Sequence, residues 1–219
     1  MILLPDSLSI SGLGGTFLEP NVPPPDEQLR LLDDIISYLG DPRRVHWRYD
    51  PLISARRGAE RGGNLDLSLF GTLAEPFADA CVPVVHTSFA TMYPKVVRRL
   101  AATGVEVEEH EAAFRKDFLR QLTEVAEELG LRVQTCCQPG FPMERCIDGE
   151  LLMQLHPTHE PCRTDRARGQ RDLCGCTHSL DIGRYPPCPN GCRYCYAQPA
   201  AAPDEERKAG DQPESTLQE

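Results

Sequence analysis

Phe114-Arg-Lys-Asp-Phe118-Leu-Arg-Gln-Leu122-Thr-Glu-Val125-Ala-Glu-Glu-Leu129-Gly130-Leu131-Arg-Val-Gln-Thr-Cys136 is the most regular stretch of the chain. Phe114, Phe118, Leu122, Val125 and Leu129 recur at three and four residues, the spacing of one helix face. Gly130 is a natural helix stop, and residues 131–136 read as a strand directly after it. The same handover recurs upstream. Leu29, Leu32, Ile35, Ile36 and Leu39 form a helical stripe closed by Gly40, and residues 45–49 follow as a strand ending at Asp50-Pro51. Residues 65–80 form a helix that Pro76 weakens, with a strand at 82–88 after it. Residues 8–11 are a first strand, 151–155 a further short helix, and 179–183 the last strand. Arg56-Arg57-Gly-Ala-Glu-Arg-Gly-Gly is polar and glycine-rich and reads as a mobile connection.

This alternation of strand and helix is the pattern of βαβ units and a parallel sheet. The expected fold class is α/β: about five mainly parallel strands, too few for the eight of a closed barrel, hence a partial (βα) barrel. The expected organisation is one domain over residues 1–198, including a cysteine loop at 174–197, then a tail at 199–219. That tail is rich in Pro, Ala and charge, without aromatic residues, and is expected to be disordered.

The chain has 219 residues and 40 % hydrophobic content, enough for a core. Its 33 acidic and 23 basic side chains make a net charge of −10, which argues against a bulk nucleic-acid binder. No apolar run reaches membrane-spanning length. The opening MILLPDSLSISG lacks the basic n-region of a secretory signal. A cytoplasmic chain with no membrane partner is expected, where clustered cysteines more often bind metals or react than form disulfides.

Ten residues are cysteine, and none precedes Cys81. Cys188-Pro-Asn-Gly-Cys192-Arg-Tyr-Cys195 has the spacing C-x3-C-x2-C. Three thiolates on one loop suit three irons of a [4Fe-4S] cluster and leave the fourth open to a small molecule. The alternative is a zinc knuckle built from the same three cysteines and one further ligand. Cys137, Cys146, Cys174 and Cys176 form a looser set that would hold a second cluster or a zinc ion, or serve as small buried hydrophobes. Cys136 is expected to be excluded, because neighbouring strand residues point to opposite faces. Cys81 and Cys162 carry no partner spacing. Arg48 is expected to pair with Asp50, Glu19-Pro-Asn21 to form a site loop or a helix-entry turn, and Arg163, Arg166, Arg168 and Arg171 a solvated basic run.

The spacing at Cys188, Cys192 and Cys195 resembles the signature of radical S-adenosylmethionine enzymes, and the aromatic Tyr194 within it matches. Gly15-Thr-Phe-Leu-Glu-Pro-Asn-Val-Pro, Trp47-Arg-Tyr-Asp-Pro, Met92-Tyr-Pro-Lys-Val, Cys146-Ile-Asp-Gly and Cys174-Gly-Cys-Thr-His-Ser-Leu-Asp-Ile-Gly-Arg-Tyr occur in one order ahead of it. Together, over about residues 8–198, they resemble the bacterial domain of unknown function 1848 family. The resemblance implies a [4Fe-4S] cluster, S-adenosylmethionine as co-substrate, an electron donor if the chain is catalytic, and an unnamed small-molecule or macromolecular substrate. It also implies a missing N-terminal region bearing a Ser-Arg-Arg-Thr-Asp-type motif, so that this chain is shortened. In the radical enzymes the cysteine motif lies early, after the first barrel strand. A circularly permuted barrel with residues 179–183 as that strand would reconcile the two orders. A metal that only holds the C-terminal segment in place is the non-catalytic alternative.

Overall fold

The computed structural model describes residues 6–180 and 188–196. Four strands form a parallel sheet: β1 (Asp6–Ser9), β2 (Val45–Arg48), β5 (Val84–Thr87) and β7 (Arg132–Thr135). They lie in the order β1-β2-β5-β7, so each later strand joins the same growing edge. Between β1 and β2 run α1 (Pro25–Leu29) and α2 (Leu32–Leu39). Between β2 and β5 come β3 (Ser54–Arg57), β4 (Glu60–Gly63) and α3 (Leu67–Asp79). Between β5 and β7 come α4 (Pro94–Ala102), β6 (Val105–Val107) and α5 (Ala112–Glu128), and α6 (Gly149–Leu155) follows β7.

The expected α/β alternation is present in these four strands. The strand expected at 179–183 is not: Ser179 and Leu180 lie outside both sheets, Leu180 is 85 % exposed, and 181–183 fall outside the described residues. The proposed first barrel strand therefore has no support in its described part. The tail expected at 199–219 also falls outside the described residues.

A second correction concerns residues 56–63. They are no loose connection but a two-residue hairpin, in which Arg57 pairs with Glu60 across Gly58-Ala59. Gly58 takes a φ of +60°, which suits glycine at a tight turn. The following glycines have a packing reason: a Cβ at Gly62 would stand 2.8 Å from the Phe17 ring, and one at Gly63 2.6 Å from the Ile53 carbonyl oxygen. With β6, this hairpin makes a three-stranded antiparallel sheet in the order β4-β3-β6. Helix α4 was also unanticipated, although Pro94 opens it and Val96 and Leu100 bury one face.

Strand alternation gives the parallel sheet two different faces. Leu8, Trp47, Val85 and Val133 stand in one row of the register and join the main core. Trp47 stacks between Phe70 and Phe77 of α3, with ring centroids 5.3 and 4.6 Å away, and its Nε1 donates to the Ile10 carbonyl at 3.0 Å. Helix α3 is capped by Asp66, whose Oδ1 accepts from the backbone of Ser68 and Leu69. It continues through Pro76 because the proline falls in its last turn while Phe70, Leu73, Ala74 and Phe77 hold its inner face. The neighbouring row, Ser9, Arg48, His86 and Gln134, is polar and belongs to the opposite face. No helix among the described residues is long and apolar enough to cross a membrane.

Candidate metal centres

Both cysteine groups gather beyond the C-terminal ends of the parallel strands. The loop carrying Cys188, Cys192 and Cys195 docks on the segment that follows β1. The Arg193 backbone N–H donates to the Leu18 carbonyl at 2.9 Å, and Arg193 Nε donates to the Phe17 carbonyl at 2.7 Å. Asn21 Nδ2 donates to the Pro189 carbonyl at 2.9 Å. Gly191 sits over Asn21 with a φ of +63°, and a Cβ there would meet Asn21 Nδ2 at 3.0 Å. Arg99 of α4 donates to the Cys195 carbonyl, and Lys95 lies over the Tyr196 ring.

At the centre of this joint is Glu19, buried after β1. Its Oε1 accepts from Ser11 Oγ at 2.7 Å and from the Tyr194 hydroxyl. Burial and then the Glu19 charge push the Tyr194 hydroxyl far above the usual tyrosine range, so it stays a donor. Glu19-Pro-Asn21 is thus a docking platform for the cysteine loop. The aromatic residue in the motif has a visible task here: Tyr194 ties the motif to the first strand's loop. Cys192 is pushed up to about 12, first by burial and then by Glu19, Cys195 and Cys188. A thiol so placed is neutral unless a cation joins it.

The second group contains two close sulfur pairs. Cys146 Sγ and Cys176 Sγ lie 3.2 Å apart, and Cys136 Sγ and Cys137 Sγ 3.9 Å apart. The Cys136 thiol is drawn down to about 6, first by hydrogen bonding with Cys146, while burial pushes the Cys174 thiol up. Cys136, expected to stand apart, has its sulfur 3.9 Å from that of Cys137. Its backbone N–H extends the β7 ladder to the Thr87 carbonyl at 2.9 Å, so its side chain follows Gln134 onto the polar face. Cys137 then takes a φ of +52°. The chain turns there, and strict alternation of neighbouring side chains ends with it.

Two segments hold the group together. Gly175 N–H donates to the Glu144 carbonyl at 3.1 Å and Thr177 N–H to the Ile147 carbonyl at 2.9 Å. The arginine run is largely structural. Arg166 donates to the carbonyls of Arg171, Asp172 and Cys174, Arg163 pairs with Asp165, and Arg171 Nη2 donates to Cys136 Sγ at 3.1 Å. Arg48 pairs with Asp50 at 2.6 Å as expected, and also feels Cys146 and Cys136. Cys81 and Cys162 are exposed; the Cys162 thiol donates to the Gly149 carbonyl. Among the described residues, no three or more His, Cys, Asp or Glu side chains stand as a ready metal-ligand set.

The sequence profile of the domain of unknown function 1848 family matches residues 7–197. The chain belongs to that family. The match takes in the four parallel strands, apart from Asp6 at the start of β1, and all ten cysteines of this family member. No curated protein and no solved structure matches the chain.

Proposed function

We propose that this family member is an iron–sulfur protein of the radical S-adenosylmethionine type, with a [4Fe-4S] cluster on Cys188, Cys192 and Cys195. The observation that carries the reading is the docking of the C-x3-C-x2-C loop on the segment after β1, at the end of a parallel sheet where active sites of βα architectures gather. The sequential strand order is that of a stretch of barrel wall, which favours a partial barrel.

The donor set fits such a group. Three thiols sit on one short loop, and burial, then Glu19, Cys195 and Cys188, push the Cys192 thiol up, a crowding of negative charge that cationic iron would offset. When bound, the cluster would supply the electron that cleaves the sulfonium bond of S-adenosylmethionine. The chain's own contribution is placement. Arg193, Asn21 and Arg99 hold the loop backbone, Tyr194 and Ser11 hold the Glu19 carboxylate, and the polar row Ser9, Arg48, His86 and Gln134 faces away from the apolar core.

The test is anaerobic reconstitution with iron and sulfide, reduction, and addition of S-adenosylmethionine. Release of 5′-deoxyadenosine that is lost in Cys192→Ala is the expected result. A complete cluster with no cleavage would instead favour a metal that only secures the C-terminal segment.

A further inference from the structure

Cys146 Sγ and Cys176 Sγ meet at 3.2 Å, and the backbone holds them there from both sides. Gly175 N–H donates to the Glu144 carbonyl at 3.1 Å, and Thr177 N–H donates to the Ile147 carbonyl at 2.9 Å. The Gly149 N–H adds a third tie, donating to Thr177 Oγ1 at 3.0 Å. Each cysteine therefore sits between two points at which its segment is bonded to the other. We propose that Cys146 and Cys176 are a redox-active dithiol, which hydrogen peroxide closes reversibly to a disulfide.

The geometry meets the demands of that bond. Chains bonded backbone to backbone run about 4.8 Å apart, inside the Cα separation of about 4.4–6.8 Å that a disulfide spans. The sulfurs must close from 3.2 Å to about 2.05 Å, a movement of about 1.2 Å that side-chain rotation supplies. A Cβ at Gly175 would stand 2.8 Å from the Glu144 carbonyl oxygen, so only glycine lets the Cys176 strip lie this close to the segment that carries Cys146. The other close pair does not suit a disulfide. Cys136 Sγ and Cys137 Sγ are 3.9 Å apart, and neighbouring Cα atoms are separated by about 3.8 Å, short of what the bond spans.

Cys146 is half-buried and Cys176 buried, so a water-sized oxidant suits the pair better than a bulky one. The hydrogen bond with Cys146 draws the Cys176 thiol down to about 5, against burial, which makes Cys176 the attacking sulfur. Cys176 attacks one peroxide oxygen, the O–O bond breaks, and the sulfur becomes a sulfenic acid. Cys146 then attacks that sulfur, the S–O bond breaks, and the S–S bond forms. Overall two electrons pass from the sulfurs to the peroxide, and the two thiol protons leave in two molecules of water. The disulfide would lock the approach to α6 onto the strip that leads towards the first cysteine loop, and a dithiol reductant would reopen it.

The test uses the full-length chain with Cys188, Cys192 and Cys195 all replaced by serine, so that failure here is independent of the iron–sulfur reading. The reduced protein is treated with a single equivalent of hydrogen peroxide, its remaining thiols are blocked, and its peptides are mapped by mass spectrometry. The expected result is a loss of two hydrogens per chain, fragment ions that link Cys146 to Cys176, and full reversal by dithiothreitol. On that background, Cys146→Ser should lose the link and leave a sulfenic acid on Cys176 that dimedone traps, whereas Cys162→Ser and Cys137→Ser should keep the link. Circular dichroism of each reduced variant separates lost chemistry from lost folding. A folded protein that joins Cys136 to Cys137 instead, that passes to sulfinic acid without an S–S bond, or that keeps all its thiols would overturn the assignment. So would a metal ion held by Cys146 and Cys176 in the purified protein.

Discussion

The sulfurs of Cys146 and Cys176 lie 3.2 Å apart, although 30 positions separate them along the chain. Their approach depends on the backbone joint beside them, where Gly175 and Thr177 donate to the carbonyls of Glu144 and Ile147.

That joint predicts the effect of Gly175→Ala. Its Cβ would collide with the Glu144 carbonyl oxygen at 2.8 Å and crowd the Met143 side chain at 3.1 Å, and a backbone atom cannot swing aside. Overpacking of this kind costs about 1–3 kcal/mol. Urea unfolding should show that loss. An unchanged midpoint would mean that the joint is looser than its geometry.

Tyr194→Phe removes one of the two side-chain donors on the buried Glu19 carboxylate, leaving Ser11. A buried acceptor deprived of its partner costs about 1–3 kcal/mol. The loss should be local, so amide exchange over residues 188–196 should speed up while that of β5 holds. Equal exchange in variant and parent would show that Tyr194 does not secure the loop.

Trp47→Ala empties the space between Phe70 and Phe77 and leaves the Ile10 carbonyl without its indole donor. Truncating a fully buried aromatic residue of this size costs about 3–5 kcal/mol. A fall in the thermal midpoint measures it, and a shift of only a degree or two would contradict the placement of the core.

Acidification has a predicted direction. His86 is pushed down to about 3 by burial, then by His46, Arg48 and Arg132, and burial also lowers His46 below the ordinary 6.5. The two rings meet at 3.2 Å between His86 Nε2 and His46 Nδ1. Both are neutral in the folded state at pH 7, and the unfolded chain takes up protons first. Their contribution is therefore complete above about pH 6.5 and is lost progressively as pH falls towards 3. Keeping His86 neutral costs about 1.4 kcal/mol at pH 5.5, and His46 adds to the loss in the same direction. Urea midpoints from pH 7.5 to 5 should fall more steeply for the parent than for His86→Gln, and parallel slopes would count against the buried pair.

Much of the scaffold was legible in the order of residues. The stripe Phe114–Leu129 with its glycine stop gave α5 and β7 nearly to the residue, because a helix that packs one face repeats its apolar positions at that spacing. The hairpin at 54–63 was not legible, since its glycines serve the distant Phe17 ring and Ile53 carbonyl, and no local signal marks such an approach. Helix α4 carries only two buried residues, Val96 and Leu100, too short a stripe to stand out from sequence.

The motif C-x3-C-x2-C, the family and the parallel α/β pattern are properties of the sequence by itself, because each depends on spacings within a few residues or on local periodicity. The approach of Cys146 to Cys176 was decided by tertiary structure alone. Cys136 looks excluded when read as one of two neighbours on an ideal strand. The chain turns at Cys137, which ends that alternation, and the Cys174-Gly-Cys176 strip is carried back to Cys146 by contacts that span tens of residues. The role of Arg171 is of the same kind: in sequence it is one charge in a basic run, and only folding brings it to the Cys136 sulfur.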